Sequence, residues 1–337
     1  MSKNRGPITT WAQYLAARLA AMALMMFDVE TNQHTASQVG RGLYAIDKHH
    51  RRRALESIRW AFPEFSDTKV EWVALRSFEH FVTLAAEVCF MPRKLHYETF
   101  TQCVAMNKLG RCNELLNARQ SVIVLSGHVG NWEVLGSMLG AGGYDLAAIA
   151  RPIDNPLVND WLMGIREAKG MHVITKWGAT DRMLNTLARG GALAFIADQN
   201  AGEKGLFVPF FGRLASTYKS IGLLAMNQNV PIICGYTHRI GPGFHFETGE
   251  TDVIFPHEWH DQPDPLYYIT ARYTRAIEAM VRIRPEQYLW MHRRWKSRPR
   301  HERLGRPMPT KLQRNLEQLP WMDQAQLDPL LHPQLQS

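Results

Sequence analysis

Cysteine is scarce in this chain. The four present (Cys89, Cys103, Cys112, Cys234) form no C-x-x-C pair, which argues against a disulfide framework and a cysteine-built zinc site. No G-x-x-x-x-G-K-[ST] loop occurs, nor any G-x-G-x-x-G opening a helix, so nothing supports a nucleotide cofactor. A G-x-S-x-G elbow is also missing, which argues against an α/β-hydrolase although Ser126 precedes Gly127-His128. Long apolar runs are lacking as well. Trp11 to Phe27 is helix-forming but interrupted by Gln13 and Arg18. Its uninterrupted part, Leu19 to Phe27, is nine residues, against the roughly 20 that span a bilayer. No small-x-small cleavage site follows it, so it reads either as an ordinary core helix or as an interfacial or tilted membrane anchor with Trp11 and Tyr14 at headgroup level.

Acidic residues are the minority: 31 Asp+Glu against 39 Lys+Arg leave a net charge of +8. Such basicity suits nucleic acid, an anionic membrane surface or an acidic substrate. The excess gathers in two blocks, Lys48 to Arg53 (KHHRRR) and His292 to Arg306 (HRRWKSRPRHERLGR). Neither belongs to a nucleic-acid module, and no nucleic-acid partner is expected. The hydrophobic content of 45% is ample for a core.

The pattern is helical from about 32 to 119, as in Lys69 to Phe90, with apolar residues at three- and four-residue spacing. From 120 onward, short apolar runs alternate with helical stretches. Strands are expected at 121–126 (SVIVLS), 146–150 (LAAIA), 171–175 (MHVIT), 192–197 (ALAFIA) and 230–236 (VPIICGY). Helices are expected near 130–140, 156–169, 178–189, 217–228 and 265–283. This is the α/β class: a largely parallel central sheet flanked by helices, a helical N-terminal portion, and an N-terminal apolar or amphipathic helix.

Parallel sheets carry working residues beyond the carboxyl ends of their strands. Those ends hold Gly127-His128-Val129-Gly130-Asn131-Trp132-Glu133, Arg151-Pro152 and Asp198-Gln199-Asn200. His128 and Glu133 form a His-x4-acid pair, suited to an imidazole that takes a hydroxyl proton while a carboxylate fixes its tautomer. The spacing alone is weak, since about one chance pair is expected from composition. The only other instance, His245/Glu250, lies in an alternating FHFETGE strand and reads as structural. His257-Glu258-Trp259-His260 is not H-E-x-x-H and reads as a surface loop rather than a zinc site. Amides of Gly130 and Asn131 at a helix start are candidate oxyanion donors. Arg151, Arg166, Arg293 and Arg294 are candidate anion ligands, and salt bridging is the alternative for each. Phe207 to Phe211 reads either as an acyl-chain wall or as core.

Taken together, SGHVGNWE (126–133), RPIDNP (151–156), Arg166-Glu167, Ala197-Asp198-Gln199, FVPFFG (207–212), Thr217 and Pro285 to Pro299 resemble the bacterial lipid A biosynthesis acyltransferases. These belong with the lysophospholipid acyltransferases, and the likeness runs in order from about 45 to 300. Val129 stands where that family more often has Phe, and Asn200 where Asp is common. The resemblance implies transfer of a fatty acyl group from acyl carrier protein or acyl-CoA to a lipid hydroxyl at the inner face of the cytoplasmic membrane. It makes His128 and Glu133 the catalytic dyad, Arg166 and Asp198 supporting residues and Arg151 a second-motif residue; Asp198 and Gln199 are also expected to bind substrate. The expected partners are the acyl donor, an anionic lipid acceptor and the membrane surface, with no metal or cofactor. The acceptor stays open between a lipid A precursor, a lysophospholipid and another glycolipid, and a non-catalytic lipid-binding protein is the rival class. The expected organisation is a membrane-associating helix at 1–31 and one acyltransferase domain at 32–306. Within that domain 32–119 is helical and 120–300 is α/β; a surface or partly disordered tail occupies 307–337.

Overall fold

A computed structural model describes residues 6–331 except 151, 169 and 176–178; the side chains of 107 and 108 are also outside the description. Four helices come first: α1 (Pro7–Leu24), α2 (Val29–Ile46), α3 (Lys48–Ala61) and α4 (Asp67–Lys94). Their starts follow ordinary capping rules. Pro7 opens α1, the Asp28 side chain accepts from Thr31 N at α2, and Ser66 accepts from Lys69 N at α4.

The α/β part follows in alternation. Short α5 (Phe100–Cys103) runs into β1 (Val104–Lys108), and α6 (Gly110–Asn117) precedes β2 (Val122–Ser126). Next come α7 (Trp132–Ala141), β3 (Leu146–Ile149), α8 (Pro156–Glu167), β4 (Met171–Ile174), α9 (Ala179–Ala188) and β5 (Ala192–Ile196). A hairpin of β6 (Leu206–Phe210) and β7 (Arg213–Thr217) leads to α10 (Ser220–Gln228), β8 (Ile232–Arg239) and β9 (Phe246–Ile254). The chain closes with α11 (Pro256–His260), α12 (Pro265–Ile283), α13 (Arg300–Arg303), α14 (Thr310–Glu317) and α15 (Gln324–Leu331).

The main sheet runs β1-β9-β8-β2-β5-β3-β4, parallel throughout except where β8 meets β9. Its centre is β2, wholly buried, as its unbroken run of apolar residues requires of a strand covered on both faces. Alternate residues serve opposite cores: Ile123 and Leu125 join one apolar cluster, Val122 and Val124 the other. The expected strands and helices of this half are all present, with ends shifted by a few residues.

Several features depart from expectation. β1 and the β6–β7 hairpin were not anticipated as strands, because one is short and lies in a stretch patterned as helix and the other carries Pro209. The hairpin turns at Phe211 and Gly212, both at positive φ, and Phe210 and Phe211 are core residues. Within the tail, Leu316 of α14, Leu319 just beyond it, and Leu327 and Leu330 of α15 are buried against the main core. His257 to His260 forms α11, where Glu258 pairs with Arg272 and not with a metal-binding partner.

Candidate active site

The segment after β2 is held from three sides. Leu289 N donates to His128 O (3.0 Å), Gly130 N to Gln287 O (2.9 Å) and Asn131 N to Thr237 O (2.7 Å). His80 on α4 meets Gly130 O at 3.1 Å. The turn needs glycine at 130: φ is +58°, and a Cβ there would sit 2.1 Å from Thr237 O. Asn131 then caps α7, its Oδ1 accepting from Val134 N while its Nδ2 donates to Glu87 (2.8 Å). Glu87 is itself clasped by Nε and Nη2 of Arg239.

These bonds correct two expectations. The amides of Gly130 and Asn131 are spent on backbone carbonyls, so neither faces an oxyanion. They are structural members of the loop that presents His128.

The carboxylate on His128 is Asp198. Oδ1 lies 2.7 Å from His128 Nδ1, and Oδ2 accepts from His128 N at 2.9 Å. The sheet explains the meeting. Ser126 and Ile196 are register partners on parallel β2 and β5, and His128 and Asp198 each lie two residues further on. Burial would raise the Asp198 pKa, but the adjacent His128 and then His292 hold it far below the ordinary carboxylate range. Glu133 was expected to orient His128. It instead pairs two-pronged with Arg166, Nε to Oε2 at 2.8 Å, because as the second residue of α7 its side chain faces α8.

His292 completes the polar group. Its ring stands edge-on to His128 with centroids 4.7 Å apart, and Trp132 flanks His128 on another side at 4.9 Å. Burial, only partly offset by Asp198, pushes the His292 pKa down to about 4. Gln199 Nε2 approaches His292 Nε2 at 3.5 Å.

A cavity of about 330 Å³ opens from His128 between the sheet and α7 and α8. His128, Ser126, Glu133, Arg166 and Gln199 supply its polar lining; Leu139, Leu162, Met171, Ala194 and Phe195 are among its apolar walls. The Ser126 hydroxyl in it is buried and has no hydrogen-bond partner among the described residues. Phe207 to Phe211 takes no part in this lining, so the core alternative holds for that stretch.

The arginines divide. Arg151 lies outside the described residues. Arg293 is exposed. Arg294 is 2% exposed and ties Ser216 O and Thr217 Oγ1, both at 2.6 Å, so it braces the hairpin and is not free for a substrate anion. His245 is not part of the site, and Glu250 accepts from the Arg111 and Cys112 amides at the start of α6, a structural role as read.

An imidazole backed by a buried carboxylate thus stands at the mouth of a largely apolar pocket on the edge of the parallel sheet. Residues 3–297 match the family of bacterial lipid A biosynthesis acyltransferases, and the chain belongs to that family and is an acyltransferase. Lipid A biosynthesis acyltransferase 2 of Shigella flexneri is 23% identical over 300 residues, covering 88% of this chain and 93% of that protein. The Escherichia coli lipid A biosynthesis lauroyltransferase is 22% identical over 267 residues (77% and 84%). The myristoyltransferase of the same organism is 24% identical over 298 residues (86% and 88%).

Proposed function

We propose that this acyltransferase moves a fatty acyl group from the thioester of acyl carrier protein or CoA onto a hydroxyl of a lipid A precursor. The observation that carries the mechanism is the Asp198–His128 pair at the mouth of the apolar cavity. Asp198 accepts a hydrogen bond from Nδ1–H, which fixes that tautomer and leaves Nε2 as the base. Nε2 takes the acceptor's hydroxyl proton as that oxygen attacks the thioester carbonyl; the C–O bond forms, the C–S bond breaks, and the imidazolium returns the proton to the thiolate. The acyl chain lies along Leu139, Leu162 and Met171. With the Gly130 and Asn131 amides committed, the Ser126 hydroxyl is the free donor facing the oxyanion.

The membrane role is part of the same reading. No helix among the described residues is long and apolar enough to cross a membrane. Ile8, Trp11, Leu15, Leu19, Met22 and Met26 recur every three or four residues along α1 and its end, each more than half exposed. Such a stripe seats a helix in the plane of the interface. α1 leans on α8, through Asn155 Nδ2 to Thr10 O (3.0 Å) and Arg18 over Trp161, and α8 walls the cavity. Docking α1 on the cytoplasmic leaflet therefore brings the pocket to its lipid.

The test is incubation with radiolabelled acyl-carrier protein or acyl-CoA and a lipid A precursor. His128→Ala is expected to cost about 10²–10⁴-fold in rate while keeping the fold. A folded His128→Ala protein with near-normal transfer would overturn the mechanism. No metal enters this scheme, and a chelator is expected to leave the rate unchanged. His128, Asp198 and His292 bring ligand atoms within 4.8 Å of one another, so chelator-sensitive activity would reassign that trio.

A further inference from the structure

Arg239 ends β8, which runs parallel to β2, so it stands at the same sheet edge as His128. A cation there could serve a substrate anion, yet this one is spent internally. Nε and Nη2 clasp Glu87, and Nη1 lies 3.1 Å from His80 Nδ1. Its backbone N donates to Gln287 Oε1 (3.0 Å), and its carbonyl accepts from Gln287 Nε2 (2.9 Å). Each of these three partners holds a different group of the loop that presents His128. Gln287 O accepts from Gly130 N, His80 meets Gly130 O, and Glu87 accepts from the Asn131 side chain.

The protons along this frame are fixed by the guanidinium. It can only donate, so His80 Nδ1 accepts, and the His80 proton sits on Nε2 and is given to Gly130 O. Burial and then the Arg239 charge keep that imidazole neutral, as the bonds require. The Glu87 carboxylate also accepts from Gln33 at 2.9 Å, so with Arg239 and Asn131 all its acceptor sites are used. The pair is well covered, the Glu87 side chain being 1% exposed and that of Arg239 13%. Such an ion pair adds little net stability over apolar residues of equal volume, whereas a fully satisfied network specifies geometry.

We propose that Arg239 is a positioning residue for the His128 loop: through Gln287, His80 and Glu87 it fixes Gly130 and Asn131, and with them the reach of the imidazole into the cavity. Arg239 does not line that cavity, so its effect on the reaction runs through the loop. The inference rests on the proposed reaction only for the use of kcat as one readout.

The experiment compares Arg239→Lys with the wild-type full chain in acyl-transfer kinetics and in amide hydrogen exchange. Lysine keeps a cation beside Glu87 but cannot hold it two-pronged and reach His80 as well. The kcat is expected to fall by about tenfold to a hundredfold, with KM for both substrates within about threefold, as for a misplaced base. The Gly130 and Asn131 amides are expected to exchange at least about tenfold faster, while those of β2 stay protected. A folded variant with kcat within about threefold of wild type, or with exchange quickened equally across the sheet, would overturn the assignment. His80→Leu and His80→Gln decide the matter even if Arg239→Lys fails to fold. Leucine removes the donor to Gly130 O and is expected to repeat both effects; the glutamine amide restores it and should recover most of the lost kcat. Equal losses in the two would overturn the assignment. Quickened loop exchange in Arg239→Lys, when even the wild-type protein transfers no acyl group, would uphold the positioning role and sink the reaction. An inactive His128→Ala beside an unimpaired Arg239→Lys would do the reverse.

Discussion

Asp198→Asn separates the geometry of this site from its sequence spacing. Asp198 is 1% exposed and accepts both the ring and the backbone N–H of His128. Asn keeps the shape and one acceptor but removes the anion facing the imidazolium that forms as the hydroxyl is deprotonated. The loss should approach the general-base contribution, about 10²–10⁴-fold in kcat, with KM for both substrates within about threefold of wild type. Glu133→Gln disturbs a different unit, the pair with Arg166. Its cost should be shared with Arg166→Gln, the double variant losing no more than the worse single one, whereas Glu133 and Asp198 should add. The assay is transfer of labelled acyl groups by each single and double variant. Asp198→Asn within about threefold of wild type, with Glu133→Gln down by the full general-base factor and not additive with His128→Ala, would refute the reasoning and restore Glu133 as the orienting carboxylate. Stability gives an independent check. The folded pKa of Asp198 is depressed, so its stabilisation is present above the unfolded value of about 3.9 and is lost as pH falls towards the folded one. Urea melts of Asp198→Asn should lack that acid-side loss.

Gly130→Ala places a Cβ 2.1 Å from Thr237 O at a positive φ; it should lower Tm and displace His128, costing activity even in the folded fraction, and unchanged melting would contradict the close approach. Burial pushes His238 down to about 3, and His80 is likewise lowered, by burial first and then by Arg239. Both are neutral when folded, so stability should fall as pH drops from about 6.5, by about 1.4 kcal/mol per pH unit for each. His238→Gln should remove one proton's share of that slope in urea melts at stepped pH. Leu19→Glu with Met22→Glu should abolish sedimentation with anionic vesicles yet spare transfer to a detergent-dispersed acceptor; undiminished vesicle binding would remove α1 from the interface.

Much of this architecture was legible along the chain. Runs such as Val122 to Ser126 are apolar throughout because both faces of a central parallel strand are covered, and the 265–283 helix is bounded by Pro265 and by Arg284-Pro285. The glycines and polar residues after β2 marked His128 for the same reason: strand ends are where a sheet exposes chemistry. The hairpin and the packed tail were less legible, since Pro209 and an unremarkable leucine spacing reveal nothing until another surface covers them.

The partner of His128 was a different kind of question. Spacing along one segment pointed to Glu133, but α7 begins between the two and turns that carboxylate towards Arg166. Only the pairing of β2 with β5, which the chain reaches after two intervening strands, sets Asp198 against the imidazole. Likewise only the packing of α3 on the 291 segment brings Arg53 to the Met291 carbonyl. Local sequence determined which residues carry reactive groups and which elements display them, because strand and helix periodicity are short-range. The tertiary structure decided which groups meet, because register and crossover order are set by the burial of the whole sheet.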